Sequence, residues 1–242
     1  MTDLFSGSRY LLKGLKLIIR PGLRRFIIVP VAINAIIFSL VILYSISVFA
    51  EYMDWMLSFL PSWLDWFQWV LWPIFASSVL MVTFYTFSLV ANIIAAPFNG
   101  LLSESVEKHL TGEAVENPTG WKELFTNAIP DILNELKKFA YFTLWALPFL
   151  VLFIVPVINV AAPFLWIVFS AWMLAVEYAD YPSSNHRQAF SDLKKQLRTR
   201  KFNSLGFGGA TLLLTMIPVI NFIAMPAAVA GATALWIDNF QK

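Results

Sequence analysis

The chain of 242 residues has no cysteine, which excludes disulfides, thiolate catalysis and cysteine-built metal centres. It has two histidines, His109 and His186, far apart in sequence and without metal-ligand spacing. Glycine-rich phosphate loops, nucleophile elbows and Walker motifs are missing, so nucleotide hydrolysis and soluble-type catalysis have no foothold and no cofactor or enzyme activity is expected. Nothing points to nucleic acid. Charge is scarce as well: Asp, Glu, Lys and Arg make up 13% of the chain, against about 25% in ordinary soluble domains.

Apolar residues fill the space that charge leaves, at 59% of the chain. A globule of this size has too much surface to bury that excess, so lipid must cover much of it. Residues 26–50, 66–103, 139–176 and 202–237 form four runs without a single Asp, Glu, Lys or Arg. A helix rises about 1.5 Å per residue, so about 20 residues cross a hydrocarbon core near 30 Å thick. The chain therefore reads as an all-α integral membrane protein. The 25 residues of the first run fit one tilted span. Val48-Phe49-Ala50 would serve as a signal-peptide cleavage site, but the apolar stretch is longer than the usual signal core of about 7–15 residues.

Charge placement sets the expected orientation. Six of the 17 Lys and Arg precede residue 26, four lie in 104–138, six in 177–201, and the last is Lys242. Residues 51–65 carry three acids and no base. By the positive-inside rule both termini and the later loops face the cytoplasm, and only 51–65 faces outward. Trp55, Trp63, Trp66, Trp69 and Trp72 surround that segment as an interfacial belt would. Near the start, Arg9, Lys13, Lys16 and Arg20 lie opposite Phe5, Leu12, Leu15 and Ile19, the pattern of a basic amphipathic helix on the inner leaflet.

The third and fourth runs begin and end on the basic side, so each must cross an even number of times or not at all. Both are interrupted by one motif, Pro-Val-Ile-Asn-x-x-Ala followed by Pro, at Pro156 to Pro163 and at Pro218 to Pro226. Proline breaks a helix by removing a donor and clashing with the preceding turn. Connectors emerging into water should be polar, and these are almost wholly apolar. The arms of the fourth run, 206–217 and 227–237, are 12 and 11 residues, too short to span. Two re-entrant hairpins, 139–176 and 202–237, are expected, dipping in from the cytoplasmic side with their tips shielded by protein or water. Pairs of short full spans in a thinned bilayer are the alternative. The expected architecture is one membrane domain, 1–242: an amphipathic helix in 1–25, spanning helices at 26–50 and 66–103, cytoplasmic loop and helices in 104–138, and the two hairpins.

Three features could handle an anion. Half-helices starting after Pro163 and Pro226 would present free N–H groups at mid-membrane, or those prolines only shape packed hairpins. Ser78, Tyr85, Asn92 and Asn99 recur every seven residues, with Ser88 one turn from Tyr85, as a stripe that lines a pore or bonds to a neighbouring helix. Asn159 and Asn221 at the hairpin tips join them as candidate pathway residues. Pro21-Gly22-Leu23-Arg24-Arg25 leads into the first span with two guanidinium forks suited to a tetrahedral oxyanion, or merely anchors topology. No Asp, Glu, His, Lys or Arg lies inside the four runs, which favours a channel-like or weakly coupled path.

Ala95-Ala96-Pro97-Phe98-Asn99-Gly100-Leu101-Leu102-Ser103-Glu104-Ser105-Val106-Glu107 and Glu177-Tyr178-Ala179-Asp180-Tyr181-Pro182-Ser183-Ser184-Asn185-His186 resemble two signatures of the CysZ-type sulfate permease family. The opening Pro-Gly-Leu-Arg-Arg segment and the paired hairpins fit it too, so the resemblance covers nearly the whole chain. It implies sulfate uptake across a bacterial inner membrane for cysteine synthesis, two long spanning helices, two hemi-penetrating hairpins and a homo-oligomer. It also implies sulfate binding at Gly22, Leu23, Arg24 and Arg25, as an entry, exit or regulatory site. Another small oxyanion such as sulfite or thiosulfate, or a non-transporting scaffold, is the rival expectation.

Overall fold

Helices follow directly from this composition, because a backbone in an apolar surrounding must satisfy its own N–H and C=O groups. The computed structural model describes residues 2–59, 61, 66–113 and 128–241, and the side chains of these except residues 2, 84, 85, 87–97, 128–135, 218, 219 and 222. Among the described residues there are eight α-helices and no strand. They are α1 (Thr2–Ile18), α2 (Arg25–Leu57), α3 (Gln68–Thr111), α4 (Ala128–Ile154), α5 (Ala162–Asn185), α6 (Phe190–Thr199), α7 (Lys201–Thr215) and α8 (Pro218–Phe240). Four described helical segments are long and apolar enough to cross a membrane: Arg25–Leu57, Leu136–Ile154, Ala162–Asn185 and Ile223–Phe240.

The chain divides into two compact units, residues 28–98 and residues 1–27 with 99–242. Within the first, the α2 and α3 segments meet through aromatic rings, Phe49 stacking on Phe75 at 3.7 Å with Trp72 set edgewise against Phe49. Ile36, Leu40, Leu43, Leu80, Met81 and Val82 are exposed, as lipid-facing residues would be. Trp55, Trp66 and Trp69 are exposed at the ends of these helices, and Trp63 lies outside the described residues. Helix α3 continues through position 97 to Thr111 without a break. At 44 residues it measures roughly 66 Å.

The second unit is built around α8. Ala224 and Trp236 are buried, and Ala227, Ala228, Val229, Ala230, Ala232, Ala234 and Leu235 are buried and packed with Leu11, Leu17 and Ile18 of α1, Leu102 and Val106 of α3, Ala175 and Tyr178 of α5 and Phe207 of α7. Small residues let backbones approach where apolar burial supplies little drive between helices. A Cβ on Gly7 would overlap the Asn203 carbonyl and one on Gly206 the Leu4 carbonyl, so α1 and α7 touch main chain to main chain. Gly14 and Gly231 make the same approach between α1 and α8. Helix α1 is thus clasped by protein along its glycine face, while Phe5 and Leu12, with Ile19 just beyond its end, remain exposed on another.

The two hairpin connections differ. Helix α4 ends at Ile154 and a 3-10 turn, Ile158–Val160, leads into α5, which has Pro163 in its first turn. Val157 takes φ 72° and ψ −46° there, a sparsely populated conformation costing a non-glycine residue roughly 1–3 kcal/mol. The α7–α8 turn occupies only Met216 and Ile217, and α8 starts at Pro218 and runs unbroken through Pro226. The expected half-helix after Pro226 is therefore corrected to one starting at Pro218. Proline at the first helical position loses no bond, since that N–H has no intrahelical partner. The absent donor at Pro226 sits in the buried part of α8.

Adjacent glycines of α7 test this packing. A Cβ at Gly208 would strike the Ala171 carbonyl, whereas one at Gly209 would only touch the Ala171 Cβ at 3.9 Å. Gly208→Ala is expected to destabilise the protein by about 1–3 kcal/mol, and Gly209→Ala to be neutral or stabilising by up to about 1 kcal/mol through helix propensity. Thermal unfolding of the two variants in one detergent checks the order.

Candidate functional site

The α1–α2 turn positions four of the expected site residues. Gly22 takes φ 91°, a left-handed conformation that suits glycine, and nothing stands within 4 Å of where its Cβ would be. Leu23 is buried in the α8 core and anchors the turn, leaving Arg24 and Arg25 exposed just after the bend. The amides of Leu23 and Arg24 donate to Arg20 O, that of Phe26 to Leu23 O and that of Ile27 to Arg24 O, at 3.1–3.2 Å. The Gly22 and Arg25 amides take no part in these bonds. The Arg25 guanidinium lies over the Phe26 ring, 4.8 Å from its centroid, which restrains the side chain by cation–π attraction. The result is a glycine bend with two guanidiniums and two main-chain donors, an arrangement that matches an oxyanion by charge and by hydrogen bonding.

The expected seven-residue stripe is less uniform. The Ser78 hydroxyl donates to Ile74 O of its own helix at 2.8 Å and is exposed. The side chains of Tyr85, Ser88 and Asn92 lie outside the described residues. Asn99 is buried and directs Nδ2 at Tyr181 Oη, 3.4 Å, and at Met225 Sδ, 3.1 Å. Asn159 and Asn221 are exposed at or beside the two hairpin turns, and the structure does not bring them together with Asn99 through any hydrogen bond among the described residues.

From Asn99 the polar residues continue at a helical spacing of four. Ser103 and Thr233 share a buried hydroxyl–hydroxyl bond of 2.9 Å between α3 and α8. One turn on, the buried Glu107 carboxylate meets His186 Nε2 at 2.8 and 3.0 Å and accepts from Gln241 Nε2 at 2.6 Å. The His186 ring stacks on Trp236 at 4.5 Å between centroids. Asn185 Nδ2 donates to Gly100 O at 3.4 Å. A seam of Asn99, Ser103 and Glu107 thus ties α3 to the end of α5 and to α8. At the end of the α4–α5 pair away from its turn, Lys138 Nζ pairs with Asp180 at 2.8 Å, both side chains largely shielded. On the far side of α8, burial pushes the Tyr10 phenol above its ordinary pKa, while Asn239 Nδ2, donating to its oxygen at 3.3 Å, works the other way.

Sequence reasoning missed this seam. Glu107 and His186 stand at the ends of the two quoted signatures, but their contact joins positions 79 apart and nothing in the local pattern pairs them. The signal present was the spacing of Asn99, Ser103 and Glu107, one helix face carrying a polar group on each successive turn.

Comparison with known proteins places this chain among relatives. Residues 10–226 match the model of a family described as Sulfate transporter CysZ/Etoposide-induced protein 2.4. A protein of Pseudomonas paraeruginosa strain DSM 24068 / PA7 named Sulfate transporter CysZ is 45% identical over 96% of this chain and 94% of its own length. Proteins of the same name from Pseudomonas aeruginosa strain LESB58 and Pseudomonas syringae pv. tomato strain ATCC BAA-871 / DC3000 are 45% and 40% identical, over 94% and 92% of their lengths.

Removing one member of the buried seam leaves its partners unsatisfied. Glu107→Ala is expected to cost about 2–4 kcal/mol, and Glu107→Gln distinctly less because the amide keeps one acceptor oxygen. Unfolding of the two variants by heat or denaturant in detergent gives the comparison.

Proposed function

The chain belongs to the family described as Sulfate transporter CysZ/Etoposide-induced protein 2.4, and from that premise we propose that it is a sulfate permease of a bacterial inner membrane. The single observation that carries the reading is identity of 45% over 96% of the chain to a protein named Sulfate transporter CysZ. The imported sulfate feeds cysteine synthesis. Transport is channel-like or weakly coupled, which accords with four apolar runs that carry no Asp, Glu, His, Lys or Arg.

The whole chain acts as one membrane domain with both termini cytoplasmic, and it works as a homo-oligomer. Helices α2 and α3 span, while the α4–α5 and α7–α8 pairs are re-entrant. Helices α4 and α5 are long enough overall to cross. What supports the re-entrant reading is the length of the uncharged parts: the arms 139–154, 162–176 and 202–215 hold 16, 15 and 14 residues, roughly 21–24 Å each, short of a core near 30 Å. The fourth arm, within α8, is longer, but 67% of the window Ile223–Phe240 is buried by protein, so it needs little lipid contact.

Sulfate binds at the α1–α2 bend. Arg24 and Arg25 neutralise the dianion and donate to its oxygens, and the Gly22 bend, anchored by Leu23, brings main chain close. Ser78, Tyr85, Asn92, Asn99, Asn159 and Asn221 line the route, with hydroxyl and amide dipoles replacing water around the ion without trapping it.

Proteoliposome uptake of labelled sulfate tests the function. Uptake above that of empty vesicles is expected, competed by unlabelled sulfate. Uptake equal to that of empty vesicles rejects the permease. Stronger competition by sulfite or thiosulfate than by sulfate assigns the scaffold to another oxyanion. Arg24→Ala with Arg25→Ala is expected to weaken sulfate binding by on the order of 1,000-fold, since two charge-assisted contacts of about 1.5–3 kcal/mol each are removed together. Equilibrium binding of labelled sulfate to the purified variant measures it.

A further inference from the structure

The glycine clasp fixes which way α1 faces, and its outward face has a composition of its own. Gly7, Leu11, Gly14 and Ile18 point into the protein. On the opposite side lie two adjacent ridges. One is apolar, with Phe5 71%, Leu12 57% and Ile19 75% exposed. The other is basic, formed by Arg9 and Lys16 and continued by Arg20 in the turn just after α1, all exposed. Among the described residues none of these three cations makes an ion pair, whereas Lys13 on the adjoining edge is held by Asp238 at 3.2 Å.

A surface half apolar and half cationic along one helix is poorly placed in bulk water and poorly placed in hydrocarbon. It fits the boundary, with Phe5, Leu12 and Ile19 among the upper acyl carbons and the cations level with the phosphates. Neutral headgroups would leave three charges without a counter-charge, while acidic ones supply it. We infer that the outward face of α1 is a binding surface for acidic phospholipid headgroups, with Arg9, Lys16 and Arg20 as the phosphate-contacting residues. Because α1 touches α7 and α8 main chain to main chain, lipids held there also brace the core of this unit. The inference does not depend on which solute the protein carries.

The test uses the full chain reconstituted in vesicles of equal phosphatidylcholine and phosphatidylglycerol, extracted in mild detergent, with the retained lipids counted by mass spectrometry. Phosphatidylglycerol is expected in excess over phosphatidylcholine. Arg9→Gln, Lys16→Gln and Arg20→Gln are each expected to weaken its retention roughly fivefold, and Arg9→Lys to preserve it. Should a variant fail to fold, the unaltered protein still answers, since raising the salt must reduce the excess. Equal retention of the two lipids, an excess indifferent to salt, or full retention in folded glutamine variants overturns the inference.

Discussion

Each main-chain amide that leaves water must find an acceptor inside the protein, because hydrocarbon offers none. Along a helix this is automatic, so the difficulty gathers where helices end. The connections at 155–161 and 216–217 are almost wholly apolar in side chain, and their main-chain groups are met locally. Asn159 N donates to Val155 O and Ala161 N to Ile158 O at the first, Met216 N to Leu212 O and Ile217 N to Leu214 O at the second. Pro163 and Pro218 follow, in the first turns of α5 and α8, where a missing donor costs least. These turns can lie away from water only because so few of their polar groups are left over.

The same constraint shapes the helix contacts. With lipid as apolar as the side chains, close approach and shared hydrogen bonds hold helices together more than apolar burial does. Gly7 and Gly14 admit α7 and α8 against α1, Gly208 admits α5 against α7, and the alanines of α8 fill its centre. Polar residues then tie the packed helices at defined heights: Asn99 to Tyr181, Ser103 to Thr233, Glu107 to His186 and Gln241. Glu107 in particular is a buried carboxylate with two directed partners, a contact that fixes position more than it adds stability. The α1–α2 bend with Arg24 and Arg25 is attached to this block through Leu23, so the proposed anion site rests on a rigid support.

How much of this was legible in the chain depended on whether the information was local. Uncharged runs and proline pairs are local, and they indicated an all-helical membrane protein and the neighbourhood of both hairpin turns. The Pro-Val-Ile-Asn motif looked alike in both places, yet only in the first does a proline-bounded connector form; in the second Pro226 is absorbed into a helix whose neighbours pack around it. The basic ridge of α1 could be read, but its glycine face could not, since Gly7 and Gly14 acquire meaning only from Asn203, Ala227 and Gly231 far along the chain. Ser78 had the right spacing for a shared polar stripe and instead bonds to its own helix, an option that every helical serine has and that spacing does not reveal. The Glu107–Gln241 contact, 134 positions apart, lay beyond any local pattern.

The absence of native cysteine makes the central topological claim open to direct measurement. Single cysteines replacing Asn159 and Asn221 would be exposed in turn to a membrane-impermeant maleimide from the periplasmic side of intact cells, with a cysteine in the 51–59 segment as the accessible control. The account predicts that the control reacts while both hairpin positions stay unmodified until the membrane is opened. Rapid labelling of either position in sealed cells would mean that the hairpins cross the bilayer, and would contradict it.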